Sequence, residues 1–139
     1  MYLLDTNVIS ELRKVRTGQA DGNVARWFAQ MTATDLYVSV VALEELEIGI
    51  LRLERRDSAQ GSVFRSWIGI QVLPAFAGRI LPVDQAVAQR SAQLHVPDPI
   101  PVRDGYIAAT AIVHSMTVVT RNVIDFESTG VSLLNPWQS

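Results

Sequence analysis

Short apolar runs alternate along this chain with longer stretches in which apolar residues recur at helical spacing. The short runs are rich in Val, Leu and Ile and are bounded by polar or turn-forming residues. This pattern predicts buried strands. We place strands at residues 2–4, 36–38, 117–120 and 131–134, with a further short apolar run at 79–83.

The stretches between these runs predict helices. In the clearest one, Leu43, Leu46, Ile50 and Leu53 form an apolar stripe, and Ser39 precedes the helix as a suitable N-cap. We expect a polar turn at residues 55–61 to end this helix, and Asp104 to start the Ala-rich helix near the C-terminus. The other predicted helices cover residues 8–14, 24–31, 63–76 and 84–94, with the Ala-rich one at 104–115.

Strands that alternate with helices are typical of an α/β fold with a parallel sheet. We therefore predict an α/β/α sandwich with a central, mainly parallel sheet. The chain of 139 residues has no internal repeat and no long linker, so we expect one domain over residues 1–139. In such folds ligands bind beyond the carboxyl ends of the strands, so we expect a functional site there.

Composition excludes several classes of protein. The net charge of −2 argues against a protein that holds nucleic acid by an overall positive field, although Arg outnumbers the single lysine, Lys14, and can grip phosphate locally. The absence of cysteine excludes disulfides and thiolate metal sites. The N-terminus has no basic region of a signal peptide, and no apolar stretch approaches the roughly 20 residues of a membrane span. We expect a soluble cytoplasmic protein.

Several polar residues occupy positions that a parallel sheet would bring to one place. Asp5 ends the first strand, and Asp104 heads a helix face that continues with apolar residues. Glu45 lies on the helix after the second strand, and Asn122 and Asp125 follow the 117–120 strand. An acid at the head of a buried stripe needs a partner, so this placement indicates a metal site.

Each of these residues also has a simpler explanation. Asp5 is a suitable N-cap, and Asp104 is favoured in a first helical turn by the helix dipole. Periodicity alone does not choose Glu45 over Glu44 or Glu47, because all three can belong to a solvated charged face. Thr120 would face the cleft and Asn7 could reach back into it, but turn and cap roles explain both equally well.

Convergence of the acids would have a chemical consequence. Like charges about 4–5 Å apart repel by roughly 3–4 kcal/mol at an effective dielectric near 20, so cations or raised pKa values must relieve them. Ligation by oxygen alone indicates Mg²⁺ or Mn²⁺ and disfavours Zn²⁺. Such ions orient water and stabilise in-line displacement at phosphorus, which makes phosphodiester hydrolysis the expected chemistry.

The sequence resembles PIN domains, and among them the VapC-type toxins. The ending Asn135-Pro136-Trp137 is similar to the FitB branch. The similarity runs in order over essentially the whole chain, so four weak motifs become specific together. They are Leu4-Asp5-Thr6-Asn7, then Ser39 with Glu45-Leu46-x-x-Gly49, then Asp104-Gly105-Tyr106-Ile107-Ala108-Ala109, then Thr120-Arg121-Asn122-x-x-Asp125-Phe126.

The resemblance implies an Mg²⁺-dependent endoribonuclease that acts as the toxin of a toxin–antitoxin pair. It implies a cognate antitoxin that contacts operator DNA, an RNA substrate and a homodimer, which we expect to form through the early helices. By motif position, Asp5, Glu45 and Asp104 would be the metal-binding acids, and Thr120 the hydroxyl residue. The fourth position is open between Asn122 and Asp125, because FitB-like members often carry an acid where this chain has Asn122.

Two other classes of protein fit the sequence less well. A haloacid-dehalogenase-like phosphatase would need an Asp at position 7, where this chain has Asn7, and a downstream Lys, which is missing because Lys14 is the only lysine. A receiver domain would need the same Lys and a pair of N-terminal acids, and this chain has neither. The more serious alternative is a weakly catalytic or non-catalytic PIN-like module that works in an antitoxin–operator DNA complex. Retention of the acids distinguishes an enzyme from such a module.

Overall fold

The computed structural model describes residues 1–138, in which five short strands form one parallel sheet in the order β3-β2-β1-β4-β5. The strands are β1 (Tyr2–Leu4), β2 (Leu36–Ser39), β3 (Ile80–Leu81), β4 (Thr117–Val119) and β5 (Leu133–Leu134). The helices are α1 (Thr6–Leu12), α2 (Gly22–Ala29), α3 (Val40–Arg56), α4 (Ser58–Trp67), α5 (Leu73–Ala75), α6 (Gln85–Leu94) and α7 (Val102–Val113).

The order of the strands reverses at the centre of the sheet. The chain runs outward from β1 through β2 to β3, and then returns to place β4 and β5 on the other side of β1. All four strand pairs are parallel, and Leu3 lies opposite Tyr37 on one side and Val118 on the other. The carboxyl ends of β1 and β4 therefore meet at a switch point, where open α/β sheets bind ligands.

Helices cover both faces of the sheet, which confirms the predicted α/β/α sandwich. Successive residues of a strand point to opposite faces, so Leu3 and Leu4 contribute to different cores. Leu4 and Val119 pack in one cluster with α1, α3 and the π-helical segment Ile68–Val72 that follows α4. Leu3 and Val118 pack in the other cluster with α7. The four residues Leu3, Leu4, Val118 and Val119 are fully buried, so the switch point rests on a rigid base.

Most predicted elements occur, but their ends differ for identifiable reasons. The predicted N-cap at Ser39 is confirmed, since Ser39 Oγ accepts from Val41 N. Asp84 caps α6, so the helix predicted at 84–94 begins at Gln85. The predicted turn at residues 55–61 was wrong, because Asp57 caps α4 and the helix resumes at Ser58. Asp104 does not start α7. The helix begins at Val102, directly after Pro101, and Asp104 lies in its first turn.

Three short segments were not predicted. They are the 3₁₀ helices Ala33–Asp35 and Val123–Thr129 and a π-helical segment, Ile68–Val72, that joins α4 to α5. The π segment comes shortly before Pro74, a residue that has no N–H to continue an α-helical ladder. Among the described helices, none is long and apolar enough to cross a membrane.

Gly61 allows α3 and α4 to pack at close range. A Cβ built on Gly61 would lie 2.7 Å from Glu54 Cα and 2.9 Å from Glu54 N, which are backbone atoms that cannot rotate away. Gly61→Ala should therefore destabilise the fold by roughly 1–3 kcal/mol, the usual cost of overpacking, despite the better helix propensity of Ala.

The matched control is Gly69→Ala, because a Cβ there meets no atom within 4 Å. Urea unfolding should show Gly69→Ala at or above wild-type stability, and Gly61→Ala below it. Equal stability of the two variants would contradict the close helix crossing.

Candidate metal-binding active site

The buried carboxylate of Asp5 is the centre of the candidate site. Asp5 leaves β1 through a hydrogen bond from its own N–H to Val119 O (2.9 Å), and its side chain then caps α1. Oδ1 accepts from Thr6 N at 2.8 Å, whereas Oδ2 accepts from Thr120 Oγ1 at 2.8 Å. Burial raises the pKa of Asp5, and the hydrogen bonds from Thr120 and Thr6 oppose that shift. Asp5 is therefore the N-cap of α1, and its second carboxylate oxygen is held at the candidate site.

Thr120 and Asn7 connect the ends of β1 and β4. Thr120 is fully buried, and its hydroxyl donates to Asp5 while accepting from Asn122 N at 3.0 Å. Asn7 Nδ2 lies 3.4 Å from both Asp5 Oδ2 and Thr120 Oγ1, and Asn7 Oδ1 accepts from Arg121 N at 3.3 Å. The turn and cap explanations of these two residues are insufficient, because both side chains contact the carboxylate of Asp5 directly.

The structure separates Glu45 from the acids beside it on α3. Glu44 is exposed, and Glu47 pairs with Arg65 at 2.6 Å. Glu45 is half-buried and turns toward the cleft, where Arg103 Nη1 lies 3.6 Å from its Oε2. Burial raises the pKa of Glu45, while Arg103 lowers it and the charge of Asp5 raises it.

Asp104 faces the same cleft from α7. Burial raises the pKa of Asp104 to about 6, and the neighbouring charges of Asp5, Asp125 and Glu45 add to the shift. Each of these carboxylates is therefore close enough to Asp104 to repel its charge. Arg103 is adjacent in sequence and opposes the shift.

Asp125 and Asn122 take different positions around this cluster. Asp125 is exposed on the 3₁₀ helix, yet its charge raises the pKa of both Asp5 and Asp104. Asn122 is exposed at the end of β4 and uses its backbone, since its N–H donates to Thr120 and its carbonyl accepts from Asp125 N at 3.1 Å. Of the two, Asp125 is the one that adds negative charge to the cleft.

Two neighbours of the acids were not anticipated from the sequence. The hydroxyl of Thr6 is buried without a hydrogen-bond partner among the described residues, yet it lies near enough to Glu45 to lower the pKa of that carboxyl. Arg103 forms the ion pair with Glu45. Arg103 directly precedes Asp104, and this adjacency was the one available signal. Gly105 serves packing, because a Cβ there would lie 2.9 Å from His95 Nε2 on the neighbouring segment.

The chemistry of the cleft fits an oxygen-liganded divalent cation. As the side chains stand, no three His, Cys, Asp or Glu residues within residues 1–138 are close enough to ligate one ion. Mg²⁺ retains several waters and takes only one or two carboxylates directly, so acids that surround a cleft at slightly longer range still suit it. The mutual repulsion of the acids and the unpartnered Thr6 hydroxyl are the features that such an ion would relieve.

A parallel sheet with several carboxylates around its switch point fits the class of metal-dependent α/β nucleases. Residues 2–130 match the PIN domain family, and the chain belongs to that family. This confirms the resemblance found in the four sequence motifs. Ribonucleases of this family generally depend on a divalent metal.

Two curated relatives match along their whole length. Toxin FitB of Neisseria gonorrhoeae and VapC ribonuclease Y4jK of Sinorhizobium fredii are each 39% identical to this chain, and each alignment covers 99% of both proteins. The crystal structure of FitAcB from N. gonorrhoeae superposes with a TM-score of 0.89 at 38% identity, over 100% of both chains. A structure of FitAB bound to an IR36 DNA fragment has the same TM-score and identity, over 100% of this chain and 97% of that one.

Replacement of Thr120 tests the support of Asp5. Thr120→Val removes the 2.8 Å donor to Asp5 Oδ2 and leaves a buried carboxylate less satisfied. The loss should cost about 1–3 kcal/mol of unfolding free energy in urea. Thr120→Ser keeps the hydroxyl and is the control. If Thr120→Val is as stable as Thr120→Ser, the hydrogen bond does not support the carboxylate.

The raised pKa of Asp104 predicts a pH dependence of stability in metal-free protein. The native state binds the Asp104 proton more tightly than the unfolded state, whose pKa is near 3.8. The stabilisation from this proton is complete below that value and is lost as pH rises through about 6. Asp104→Asn should therefore have a higher Tm than wild type near neutral pH.

The measurement is the difference in Tm between the two proteins, in EDTA, across about pH 4 to 7. The advantage of Asp104→Asn should grow across this range. Excess Mg²⁺ should reduce the advantage, because an ion that binds the native acids stabilises wild type by mass action. A difference that is constant with pH would contradict the raised pKa.

Proposed function

We propose that this chain is an Mg²⁺- or Mn²⁺-dependent endoribonuclease and the toxin of a type II toxin–antitoxin pair. The observation that carries the proposal is the group of carboxylates at the switch point of the sheet, where the charge of Asp5 raises the pKa of Glu45 and the charges of Asp5, Asp125 and Glu45 raise the pKa of Asp104. Family membership and the ribonuclease name of a full-length relative support the same activity. A toxin that cuts RNA would act in the cytoplasm.

We assign Asp5, Glu45 and Asp104 to the metal, with Asp125 as the fourth acid. A divalent ion held by these residues would supply a water of lowered pKa and a positive charge beside the scissile phosphate. Thr120 and Asn7 hold the Asp5 carboxylate in one orientation, so the donor set is fixed before substrate arrives. Asn122 would hold the loop that carries Asp125, through its backbone carbonyl.

Arg103 would have two roles in this scheme. In the absence of a cation it neutralises Glu45 at 3.6 Å, and its guanidinium is half-exposed at the mouth of the cleft. If Glu45 helps to hold a divalent ion, Arg103 would no longer be needed as its ion-pair partner. The planar donors of Arg103 match the geometry of a phosphate. The residue would then orient RNA toward the acids.

The partner that we propose is a cognate antitoxin. Two similar structures are those of FitAcB and of FitAB bound to a DNA fragment. The net charge of −2 supports a division of labour in which operator DNA is contacted by the antitoxin and only indirectly by this chain. The alternative is a weakly catalytic or non-catalytic module in that complex, which the separation of the acids in the described residues would favour.

We further propose a homodimer. The sequence predicted an interface through the early helices, but among the described residues α1 and α2 expose no large apolar side chain. Such side chains are exposed on α4 and the segment after it, where Val63, Ile70 and Leu73 are 54%, 73% and 37% accessible. A second copy would cover them. Light scattering at tens of micromolar should give the mass of two chains, and Ile70→Glu should shift it toward one. A wild-type monomer at that concentration would contradict the dimer.

The activity has a direct test. Protein purified free of antitoxin should cut single-stranded or structured RNA with Mg²⁺ or Mn²⁺, and EDTA should stop the reaction. Asp104→Asn should lower cleavage by at least about 100-fold, because the site loses a metal-binding charge. Glu44→Gln is the matched control, since Glu44 is exposed next to Glu45, and it should retain activity.

Sequencing of RNA ends after brief expression provides the second readout. Wild type should produce new ends that are absent with Asp104→Asn and present with Glu44→Gln. Full activity of Asp104→Asn would overturn the mechanism. Wild type that binds antitoxin but never cuts RNA would favour the regulatory module.

A further inference from the structure

A second cleft begins where the acid cluster ends. It has a volume of about 240 Å³ and lies between α1, α3 and α4. Thr6 and Glu45 form one end, so the cleft is continuous with the candidate metal site. Arg56 lies at the other end, and Arg13 lines the wall formed by α1.

The wall formed by α4 is aromatic. Phe64 and Trp67 line the cleft, with ring centroids 6.3 Å apart and planes at 83°. The guanidinium of Arg13 lies 4.2 Å from the centroid of Phe64. Phe64 and Trp67 remain only partly buried although they pack on the core, so part of each ring is available to a ligand.

The cations of this cleft have no acidic partner. Within residues 1–138, neither Arg13 nor Arg56 lies within 4.0 Å of a carboxylate, whereas the nearby Arg65 is paired with both Glu47 (2.6 Å) and Glu54 (3.1 Å). A cleft with unpaired guanidinium groups and aromatic rings suits a ligand that is both anionic and flat. Single-stranded nucleic acid is such a ligand, since its bases stack on aromatic side chains while cations follow its phosphates.

We propose that this cleft binds the nucleotide adjacent to the scissile phosphate, with its base against Phe64 and Trp67 and its phosphate near Arg13 and Arg56. The inference rests on the proposed ribonuclease function, because the acid site fixes where the cleaved phosphate lies. An acidic segment of a protein could also pair with the arginines. The aromatic wall and the continuity with the acids favour RNA.

Gly49 offers a way to fill the cleft without disturbing the fold. It lies on α3 along the cleft, and a Cβ built there meets no atom within 4 Å. Gly49→Leu should therefore extend into the cleft, and α3 should be at least as stable because Gly is a poor helix former. Gly69→Leu is the matched control, since Gly69 is also helical, exposed and open at Cβ but lies outside this cleft.

The experiment measures binding separately from cleavage. Each glycine variant is made in the Asp104→Asn protein, free of antitoxin, and titrated into fluorescein-labelled hexa-adenylate or hexa-uridylate. An abasic ribose-phosphate hexamer with the same number of phosphates reports the contribution of the backbone alone. Gly49→Leu should weaken the base-containing hexamers about tenfold, the loss expected for one stacked base, and leave the abasic hexamer unchanged. Gly69→Leu should change neither.

The subsite is overturned if the Asp104→Asn protein does not bind the hexamers, or if it binds base-containing and abasic hexamers equally. Equal binding by the Gly49→Leu and Gly69→Leu variants would also overturn it. A Gly49→Leu protein that loses only antitoxin binding would overturn it too, and would assign the cleft to a protein segment.

Cleavage assays on glycine variants that retain Asp104 distinguish the nuclease proposal from the subsite proposal. If wild type cuts RNA while Gly49→Leu binds and cuts as Gly69→Leu does, the nuclease stands and the subsite fails. If wild type does not cut RNA but base-dependent binding disappears in Gly49→Leu, the subsite is supported and the nuclease fails.

Discussion

A buried carboxylate that keeps hydrogen-bond donors on two sides is the constraint around which the rest of this site is arranged. Asp5 is 7% exposed, and a charge at that depth is tolerated only where polar groups replace water. Thr6 N and Thr120 Oγ1 each donate to it at 2.8 Å, one from the start of α1 and one from the end of β4. The position of Asp5 therefore fixes how β1, α1 and β4 meet.

The remaining acids approach this fixed point from separate elements. Glu45 comes from α3, Asp104 from α7 and Asp125 from the 3₁₀ helix. The charge of Asp5 raises the pKa of Glu45, and the charges of Asp5, Asp125 and Glu45 raise the pKa of Asp104. Such an arrangement is unfavourable for a metal-free fold and favourable for one that binds a divalent cation. Arg103 relieves part of the repulsion at Glu45. The chain thus offsets part of its negative charge with Arg103, a cation whose side chain is half-exposed.

The sequence predicted the parts of this site that depend on periodicity and strand ends. Asp5 and Thr120 follow short apolar runs, and Asp104 heads an apolar helix face, so a parallel sheet necessarily gathers them. Glu45 could be separated from Glu44 and Glu47 only through the family motif, because the apolar periodicity of α3 allows any of the three acids to face the site. The structure resolves this by the ion pair of Glu47 with Arg65 and the exposure of Glu44.

What could not be predicted depends on distant partners or on small backbone differences. The contact of Asn7 with Thr120 spans 113 positions, and no local pattern signals it. Asp57 is equally suited to a turn or a helix cap, and the turn prediction was wrong because the close packing at Gly61 lets α4 begin at once. The π segment depends on how Ile68 and Val72 reach the core, which periodicity does not specify.

The hydrogen bond between Thr120 and Asp5 joins residues that are 115 positions apart. A ribosome that has made α1 through α6 has produced a chain with Asp5 and Glu45 but without Asp104, β4 or Thr120. A chain that ends before β4 lacks Thr120 and Asp125, so Asp5 loses its second donor and the acid cluster is incomplete. The order of the strands therefore places completion of the cluster near the end of synthesis.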